Sequence, residues 1–436
     1  MDRNRTVSLC LVVQDEATFL ARCLASFKDV VHEICVLDMG SSDETVAIAE
    51  RFGAKVVFHE WNDDFSEARN RCLEMATMNW VVMVDADEYL RREDAPILNE
   101  AFMRRDCDGF SVRIFNFSRE GTPFYITHLS PRIFKNNGDF RYEGVVHEQL
   151  VGVDAVVNFE LIEVAIYHTG HLRKARELKG KSRRNLTLLK KALDKDEMSM
   201  VNLFHLANEI SHHPDKRQET LELYQHIYDE GGAADFAPRL VILRVLALIR
   251  EKLWDEALLA IEQGLIRFPD FTDLVYQRGV IERKKGLVIK PIRSFEACLT
   301  MGKPRPNLEF SNASYAYGPM FHLAELMQQE AFFEEAFDYY QECWLLEHSN
   351  YRLLFSMFDC LVGMGYERKN VAVKMKRFFD LHNDLNRVAY VNLLLEKQFY
   401  EEAYAFLTDN GIWQAEKKQR QLVEKALVGM SELSHL

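Results

Sequence analysis

The sequence predicts an α/β domain built on a largely parallel sheet, followed by an all-helical repeat domain. Short apolar runs alternate with segments of helical spacing at the start of the chain, and nearly continuous helical patterns follow residue 175. At 436 residues the chain is too long for one ordinary core. We therefore expect an α/β domain over 1–175 and a helical domain over 176–436.

Four apolar runs are the predicted strands of the parallel sheet. The first is continuously apolar, as expected for a strand buried on both faces. Segments with helical spacing separate the runs, and this alternation favours helices on both faces of a parallel sheet. The predicted strands are Val7–Val13, Glu33–Leu37, Lys55–Phe58 and Trp80–Val84, and the helices between them are Glu16–Phe27, Val46–Phe52 and Phe65–Ala76.

The pattern changes to shorter β-rich pieces between residues 109 and 169. Their spacing is typical of antiparallel or mixed strands added to the parallel sheet. The predicted pieces are Gly109–Phe117, Pro123–Lys135, Phe140–Gln149 and Asn158–His168.

A short motif recurs in the helical part. Phe333–Phe337 and Tyr400–Tyr404 share an aromatic–Glu–Glu–Ala–aromatic order, and their alanines lie about two repeat lengths of ~34 residues apart. Trp254–Leu258 opens a similar segment that ends near Pro269. The motif predicts tetratricopeptide-like repeats, with a generic helical bundle as the alternative.

Bulk composition excludes several classes of protein. A formal net charge of −13 argues against a nucleic-acid partner. The polar start lacks the apolar core of a signal peptide, and no apolar run approaches the ~20 residues that span a bilayer. The eight cysteines include no CxxC pair and are typical of reduced core thiols. We expect a cytoplasmic protein without a membrane span.

Acidic side chains follow the predicted strands at the point where each strand ends. Asp38 follows the second strand, and Asp85 and Asp87 follow the fourth. Ligands of open parallel sheets bind beyond these strand ends. Clustered carboxylates need hydrogen-bond donors or a divalent cation to offset their charge. In an extended chain both aspartates of Asp85-Ala86-Asp87 face one side, where they can hold Mg²⁺, Mn²⁺ or sugar hydroxyls.

Several longer motifs surround these aspartates. They are Val12–Glu16, Asp38–Asp43, Trp61–Asn70, Trp80–Glu88, Pro131–Phe134, Gly144–Glu148 and Tyr167–His171, and Lys181–Asn185 continues them. Through these motifs the segment 7–175 resembles the family 2 glycosyltransferases, which have the GT-A fold. The chain departs from the usual family pattern at Gln14-Asp15, where Lys-Asn is common, and at Met39, where Thr or Asp is common.

The resemblance implies a branch of the family that often carries tetratricopeptide repeats. That branch includes the sublancin-type S-glycosyltransferases, which modify a cysteine of a bacteriocin precursor, and other protein or polysaccharide glycosyltransferases. It implies a metal-dependent, inverting transfer of a hexose from a UDP-sugar to a Cys, Ser or Thr side chain.

Residue roles follow from the same resemblance. Asp38 is expected at the uracil or ribose, Asp85 at ribose or sugar hydroxyls, and Arg69 with Asn70 at the nucleotide or diphosphate. Asp87 and His168 are expected to bind the divalent metal, Mg²⁺ or Mn²⁺. The full nucleotide-sugar set is Val13, Glu16, Asp38, Ser41, Arg69, Asn70, Asp85 and Ala86.

The candidates for the catalytic base are Glu148 and His147. We expect them to alternate along a strand, so that only one faces the site, and we favour Glu148. Four other features have a structural alternative: Arg69 as a surface ion pair, Asp43 as a helix cap, His168 as a strand-end histidine, and the basic segment Lys181–Arg184 as a solvated helix face. His171 stands where the family usually has tyrosine.

The concave surface of stacked helical repeats commonly binds extended peptides. We therefore expect a peptide or protein acceptor bound in part by the repeats. The alternatives are a polysaccharide or lipid-linked glycan as acceptor, and a non-catalytic scaffold with a degenerate transferase domain. Helical repeats often dimerise, so a homodimer is an open alternative.

Overall fold

The computed structural model describes residues 5–117, 123–153, 157–169, 175–196, 199–231 and 237–409. Within them the chain forms two compact units. The first runs to Leu287 and includes Thr300–Tyr315; the second comprises Val288–Leu299 and the residues from Ala316. Strands give way to helices between His168 and Ala175, near the predicted boundary. The first unit nevertheless continues well past it, so the boundary at 175 stays a prediction.

An eight-stranded mixed sheet forms the centre of the first unit. Its order is β3-β2-β1-β4-β7-β6-β10-β5. The first four positions are mutually parallel, and β7 enters antiparallel between β4 and β6. The strands are β1 Val7–Val13, β2 Glu33–Asp38, β3 Lys55–Phe58, β4 Trp80–Met83, β5 Glu88–Leu90, β6 Gly109–Phe117, β7 Tyr125–Lys135, β8 Phe140–Glu143, β9 Gln149–Gly152 and β10 Phe159–His168.

Both faces of β1 are buried, as its continuous apolar run predicts. Leu9 and Leu11 pack with helix α1 on one face, while Cys10 packs with helix α3 on the other. The helices of the sheet layer are α1 Ala17–Phe27, α2 Thr45–Arg51, α3 Phe65–Glu74 and α4 Ala95–Ala101.

The rest of the described chain is helical. The repeated motif opens helices α9, α13 and α17, and Ala336 and Ala403 are fully buried, as close helix packing requires. The helices are α5 Ala175–Leu193, α6 Met200–Ile210, α7 Arg217–Gly231, α8 Ala237–Arg250, α9 Trp254–Arg267, α10 Thr272–Lys284, α11 Ile289–Met301, α12 Tyr317–Gln329, α13 Phe333–Leu346, α14 Arg352–Gly363, α15 Arg368–Lys376, α16 Asp384–Glu396 and α17 Tyr400–Asp409. A mixed sheet followed by helical repeats confirms the predicted fold class.

One predicted strand is wrong. Phe140–Gln149 is two strands, β8 and β9, which form a separate two-stranded sheet around a bend. Gly144 begins the bend at φ +100°, a conformation that favours glycine, and His147 continues it at φ +56°. Across the described residues, no helix has both the length and the apolar character needed to cross a membrane.

Candidate active site

Asp38 ends β2, directly opposite Val13 at the end of β1. Its carboxylate accepts hydrogen bonds at 3.1 Å from the backbone N–H groups of Gly40 and Ser41. Ser41 in turn accepts one through Oγ from the backbone N–H of Asp15 at 2.9 Å. The turn that follows β2 is therefore held in shape by its own residues, as a preformed ligand site requires.

Asp43 connects the starts of two helices at this edge of the sheet. Its carboxylate accepts from the backbone N–H groups of Ala17 at 3.1 Å and Thr45 at 2.9 Å, the first residues of α1 and α2. Glu16 precedes α1, and its backbone N–H donates to Thr45 Oγ1 at 2.7 Å. The capping role weighed for Asp43 is confirmed, because the side chain satisfies N–H groups at two helix starts.

The predicted extended geometry of Asp85-Ala86-Asp87 is wrong. The segment is a turn between β4 and β5, closed by the Glu88 backbone N–H donating to Asp85 O at 3.0 Å. The Asp85 backbone N–H donates to Glu88 Oε2 at 2.9 Å, and Ala86 is buried within the turn. The two aspartates therefore have different partners on the two sides of the turn.

Two arginines, each with 12% of its side chain exposed, flank Asp85. Arg69 Nη2 from α3 lies 2.8 Å from one carboxylate oxygen, and Arg132 Nη2 from β7 lies 3.2 Å from the other. Burial alone would raise the pKa of Asp85, but the two guanidinium groups outweigh it and hold that pKa well below its usual range. Asp85 is therefore a carboxylate at neutral pH.

Glu88 shares the same arginine. Arg132 Nη2 lies 2.7 Å from its carboxylate, and only 2% of the Glu88 side chain is exposed. Burial raises the pKa of Glu88 and repulsion from Asp85 adds to the increase, while Arg132 opposes them. Arg132 thus pairs with the buried Glu88 and also with Asp85, which is 42% exposed.

The expected source of compensation for the strand-end acids was a bound nucleotide or a cation. Within the described structure the chain itself supplies two arginines for Asp85. Arg132 was not among the predicted site residues, and Glu88 was named only within the Trp80–Glu88 motif. A signal for Arg132 was present, because the Pro131–Phe134 motif places an arginine directly before the apolar pair Ile133 and Phe134.

Asp87 faces His168, the last residue of β10. Asp87 Oδ1 lies 3.3 Å from His168 Nε2, and His168 Nδ1 lies 2.7 Å from Asn116 Oδ1. The Asn116 amide also donates to Ile126 O at 3.2 Å, which fixes its oxygen toward the imidazole. Burial works against the charged imidazole, but the hydrogen bond and charge of Asp87 outweigh it and raise the pKa of His168.

Asp87 and His168 are ligand types that a divalent cation takes. A carboxylate oxygen and an imidazole nitrogen lie 3.3 Å apart, and Asn116 fixes the orientation of the ring, as outer partners of metal-binding histidines do. A second acidic group, Asp106, Cys107 and Glu160, lies elsewhere in the described structure. There Arg104 pairs with both carboxylates, at 2.7 Å and 2.8 Å.

Asn70 does not point toward the strand-end acids. Its amide nitrogen donates to Tyr142 O at 2.9 Å, and its amide oxygen accepts from the Tyr142 backbone N–H at 2.7 Å. Both functional groups therefore hold β8 against α3. A cavity of about 490 Å³ adjoins Asn70 and Tyr142 but is not lined by Asp38, Asp85 or Asp87. The structure shows this supporting role for Asn70, and its contact with the nucleotide stays a prediction.

The two candidate bases diverge, and the expected alternation along a strand is wrong because both lie in the bend between β8 and β9. Glu148 pairs with Arg69 Nε, and 10% of its side chain is exposed. The His147 ring stacks on His205 of α6, with ring centroids 4.3 Å apart and planes 13° apart. Arg69 thus joins Glu148 to Asp85, whereas His147 faces the helical part.

The basic segment of α5 is divided. Arg183 is exposed, consistent with a solvated face, whereas Arg184 is half-buried with its guanidinium carbon 4.8 Å from the Phe65 ring centroid. His171 and the side chain of Lys181 lie outside the described residues.

Known proteins share this domain. Residues 8–163 match the Glycosyl transferase family 2 model. A TPR repeat-containing protein of Synechococcus elongatus is 43% identical over 142 residues, which are 33% of this chain and 34% of the relative. The SPbeta prophage-derived glycosyltransferase SunS of Bacillus subtilis is 28% identical over 288 residues, which are 63% of this chain and 66% of the relative.

The chain therefore spans about a third of one relative's length and somewhat under two thirds of the other's. Among solved structures, S. aureus TarS 1-349 is 15% identical with a TM-score of 0.34, covering 61% of this chain and 92% of that one. The family match runs from β1 to the middle of β10 and takes in the turns that carry Asp38, Asp85 and Asp87. Residues 8–163 thus form a family 2 glycosyltransferase domain.

Proposed function

We propose that the chain is an inverting glycosyltransferase that moves a hexose from a UDP-sugar to a Cys, Ser or Thr side chain of a peptide or protein. The observation that carries the proposal is the cluster at the carboxyl ends of the strands: Asp85 held by Arg69 and Arg132, beside the Asp87–His168 pair. It lies within a family 2 glycosyltransferase domain.

The nucleoside end of the donor belongs at the turn after β2. Asp38 is almost fully buried, and its carboxylate is positioned by its own backbone N–H partners. A carboxylate held in this way accepts hydrogen bonds from ribose hydroxyls or from the uracil N–H. Val13, Glu16 and Ser41 contribute to the same edge of the sheet.

The diphosphate belongs between the arginines and the metal ligands. Arg69 and Arg132 remain charged and are held in place by Asp85, so they can stabilise negative charge as the sugar leaves without reorganising. Asp87 and His168 would hold Mg²⁺ or Mn²⁺, which neutralises charge on the departing diphosphate. Ala86 keeps this turn compact beneath the sugar.

Glu148 is the proposed base. Its carboxylate is bound to the same arginine as Asp85, so Arg69 fixes the distance between the base and the donor-binding turn. A carboxylate removes the proton from the acceptor hydroxyl or thiol as the new bond to the sugar forms on the face opposite the diphosphate. His147, whose ring stacks against α6, is not the proposed base.

A peptide or protein acceptor is supported by the helical repeats and by the resemblance to the sublancin-type enzymes. Stacked helical repeats offer extended surfaces of the kind that bind peptides. The alternative acceptors, a polysaccharide or a lipid-linked glycan, lack a supporting feature of comparable weight in the described residues.

The test begins with UDP release from a panel of UDP-sugars, with Mn²⁺, with Mg²⁺ and with EDTA. Peptides containing Cys, Ser or Thr, and oligosaccharides, are then screened for a mass increase of one sugar. We expect metal-dependent UDP release and a hexose mass on peptides. Transfer to oligosaccharides alone would refute the peptide acceptor, and no release from any donor would support a non-catalytic scaffold.

The base is tested separately with Glu148→Gln. We expect transfer to fall about a hundredfold while UDP affinity stays within a few-fold, because a general base contributes roughly 10²–10⁴ to rate. Glu143→Gln, an exposed neighbour on β8, is the matched control. Full transfer by Glu148→Gln would remove Glu148 from the base role.

A further inference from the structure

The bend Gly144–Glu148, called here the base loop, is held by helices as well as by the sheet domain. On the sheet side, the Phe65 backbone N–H donates to Val145 O at 3.0 Å, and Ser66 Oγ donates to Gly144 O. On the helical side, Val146 packs in an apolar cluster with Leu188 and Leu189 of α5. All of these elements belong to the first compact unit.

The second contact between the base loop and the helices is between two aromatic rings. The His205 ring on α6 lies parallel to the His147 ring at stacking distance. His147 has φ +56°, an unfavourable conformation for a residue with a side chain, so its neighbours must hold it there. His147 directly precedes Glu148 in the same bend, so a contact that holds His147 also restrains the backbone that carries Glu148.

We propose that His205 is a positioning residue for transfer, because its stack on His147 fixes the base loop so that the Glu148 carboxylate stays against Arg69. The inference rests on the proposed function, in which Glu148 is the base. It assigns the first helices of the repeat region a role in the chemistry, in addition to any role in acceptor binding.

The energetic scale fits such a role. Stacked aromatic pairs contribute about 0.5–1.5 kcal/mol beyond their buried area, which is comparable to the cost of a residue in a left-handed conformation. Displacing a catalytic group by about 1 Å can lower the rate about a hundredfold. Loss of the stack therefore affects the rate far more than the overall stability.

The charge states of the two rings support the stack. Burial lowers the pKa of His205 to about 3, with a further contribution from His147, and burial also lowers the pKa of His147. Glu209 and Glu148 oppose the decrease for His147, and Arg184 on α5 faces Glu209. A depressed folded-state pKa means that the neutral stack stabilises the protein above about pH 6.5 and is lost as pH falls toward 3.

Two variants of the full chain test the proposal. His205→Ala removes the stack, and His205→Phe retains a ring of similar shape without titration. His212→Ala, an exposed histidine beyond the end of α6, is the control. The first readout is UDP release from the UDP-sugar that is most active with the unmodified protein, measured as kcat and KM. The second is amide hydrogen exchange over the base loop.

We expect His205→Ala to lower kcat ten- to a hundredfold with donor KM within threefold, and to accelerate exchange in the base loop about tenfold. His205→Phe should restore most of both values and flatten the acid side of the pH profile below about 6.5. The control should match the unmodified protein.

Unchanged loop exchange in His205→Ala would overturn the proposal, as would a loss in His205→Phe equal to that in His205→Ala. If the unmodified protein releases no UDP from any donor, the proposed function fails, while loop exchange still decides whether His205 holds the loop.

Discussion

The ion pair between Arg132 and Glu88 at the carboxyl end of the sheet is less exposed than the pair between Lys397 and Asp359 in the second unit. Arg132 and Glu88 are 12% and 2% exposed, whereas the Lys397–Asp359 pair joins side chains that are 21% and 48% exposed. The buried positions of α14 include Leu353, Met357 and Phe358. One region concentrates charge where water is scarce, and the other follows ordinary helical amphipathicity.

The difference separates the contacts that stabilise the fold from those that the proposed chemistry needs. Burying ion pairs is costly, and replacing them with apolar residues often leaves stability unchanged or higher. Clusters of perturbed ionisable groups, such as Arg69, Arg132, Asp85 and Glu88 at this sheet edge, are typical of functional sites, which supports the proposed donor site. The helices need no such arrangement, because alanines and large apolar residues pack them directly.

The largest expected effect comes from Arg132→Met. It leaves Glu88 buried without its cation, which should lower the free energy of unfolding of the sheet domain by about 3–5 kcal/mol. The measurement is denaturant unfolding followed by circular dichroism. The double variant Arg132→Met/Glu88→Gln should recover part of the loss, and equal losses in both would contradict the pairing argument.

Asp87→Ala should lower metal-dependent UDP release at least a hundredfold, about 2.7 kcal/mol in activation free energy. The reason is the loss of the carboxylate that faces His168 and of charge neutralisation at the diphosphate. Asp106→Ala, in the second acidic group, is the matched control. A loss of the Mn²⁺ response in the control but not in Asp87→Ala would move the metal site away from the strand ends.

Gly109→Ala tests the packing of the sheet without touching its charges. A Cβ at Gly109 would lie 2.3 Å from a Phe159 ring carbon and 2.5 Å from the Ile133 carbonyl oxygen. We expect a loss of about 1–3 kcal/mol in unfolding free energy, because the backbone oxygen has little room to move. The folded enzyme should keep its KM for the donor. No loss of stability would mean that β6 and β7 can separate locally.

Lys397→Met should have the smallest effect, below about 1 kcal/mol, because its partner Asp359 is half exposed. Thermal unfolding at low and high salt checks it, and the variant should behave like the unmodified protein at high salt. If Lys397→Met lowered the unfolding free energy as much as Arg132→Met, the two ion pairs would not differ in the way proposed.

Hydrophobic periodicity was enough to predict most elements of the sheet. β1 to β4 lie within a few residues of their predicted bounds, because apolar runs of this length have one favourable arrangement between helices. The division of the predicted strand into β8 and β9 was not predicted. Gly144 and His147 form a bend at positive φ, and a bend of this kind hardly changes the pattern of apolar residues. β5 is too short to show any periodicity.

For the site, the sequence placed acids at strand ends but misjudged their geometry. Asp85 and Asp87 lie in a turn. The Glu88 backbone N–H donates to Asp85 O, and the Asp85 backbone N–H donates to the Glu88 carboxylate. The Asn70 amide is hydrogen-bonded to Tyr142 of β8. The two residues are 72 positions apart, so a local sequence pattern does not predict this contact. Arg132 and His205 reach the site from β7 and α6, which only the folded chain brings near Asp85 and Glu148.

By itself the sequence determined the order of strands and helices, the placement of Asp38, Asp85 and Asp87 at the ends of strands, and the repeated motif that opens α9, α13 and α17. These depend on local periodicity and on side-chain type. Only the tertiary structure decided that Arg69 joins Asp85 to Glu148, that His147 turns toward α6 and that Asp43 caps two helices. Each of those depends on contacts between residues distant in sequence, whose partners are chosen by burial and charge balance rather than by local pattern.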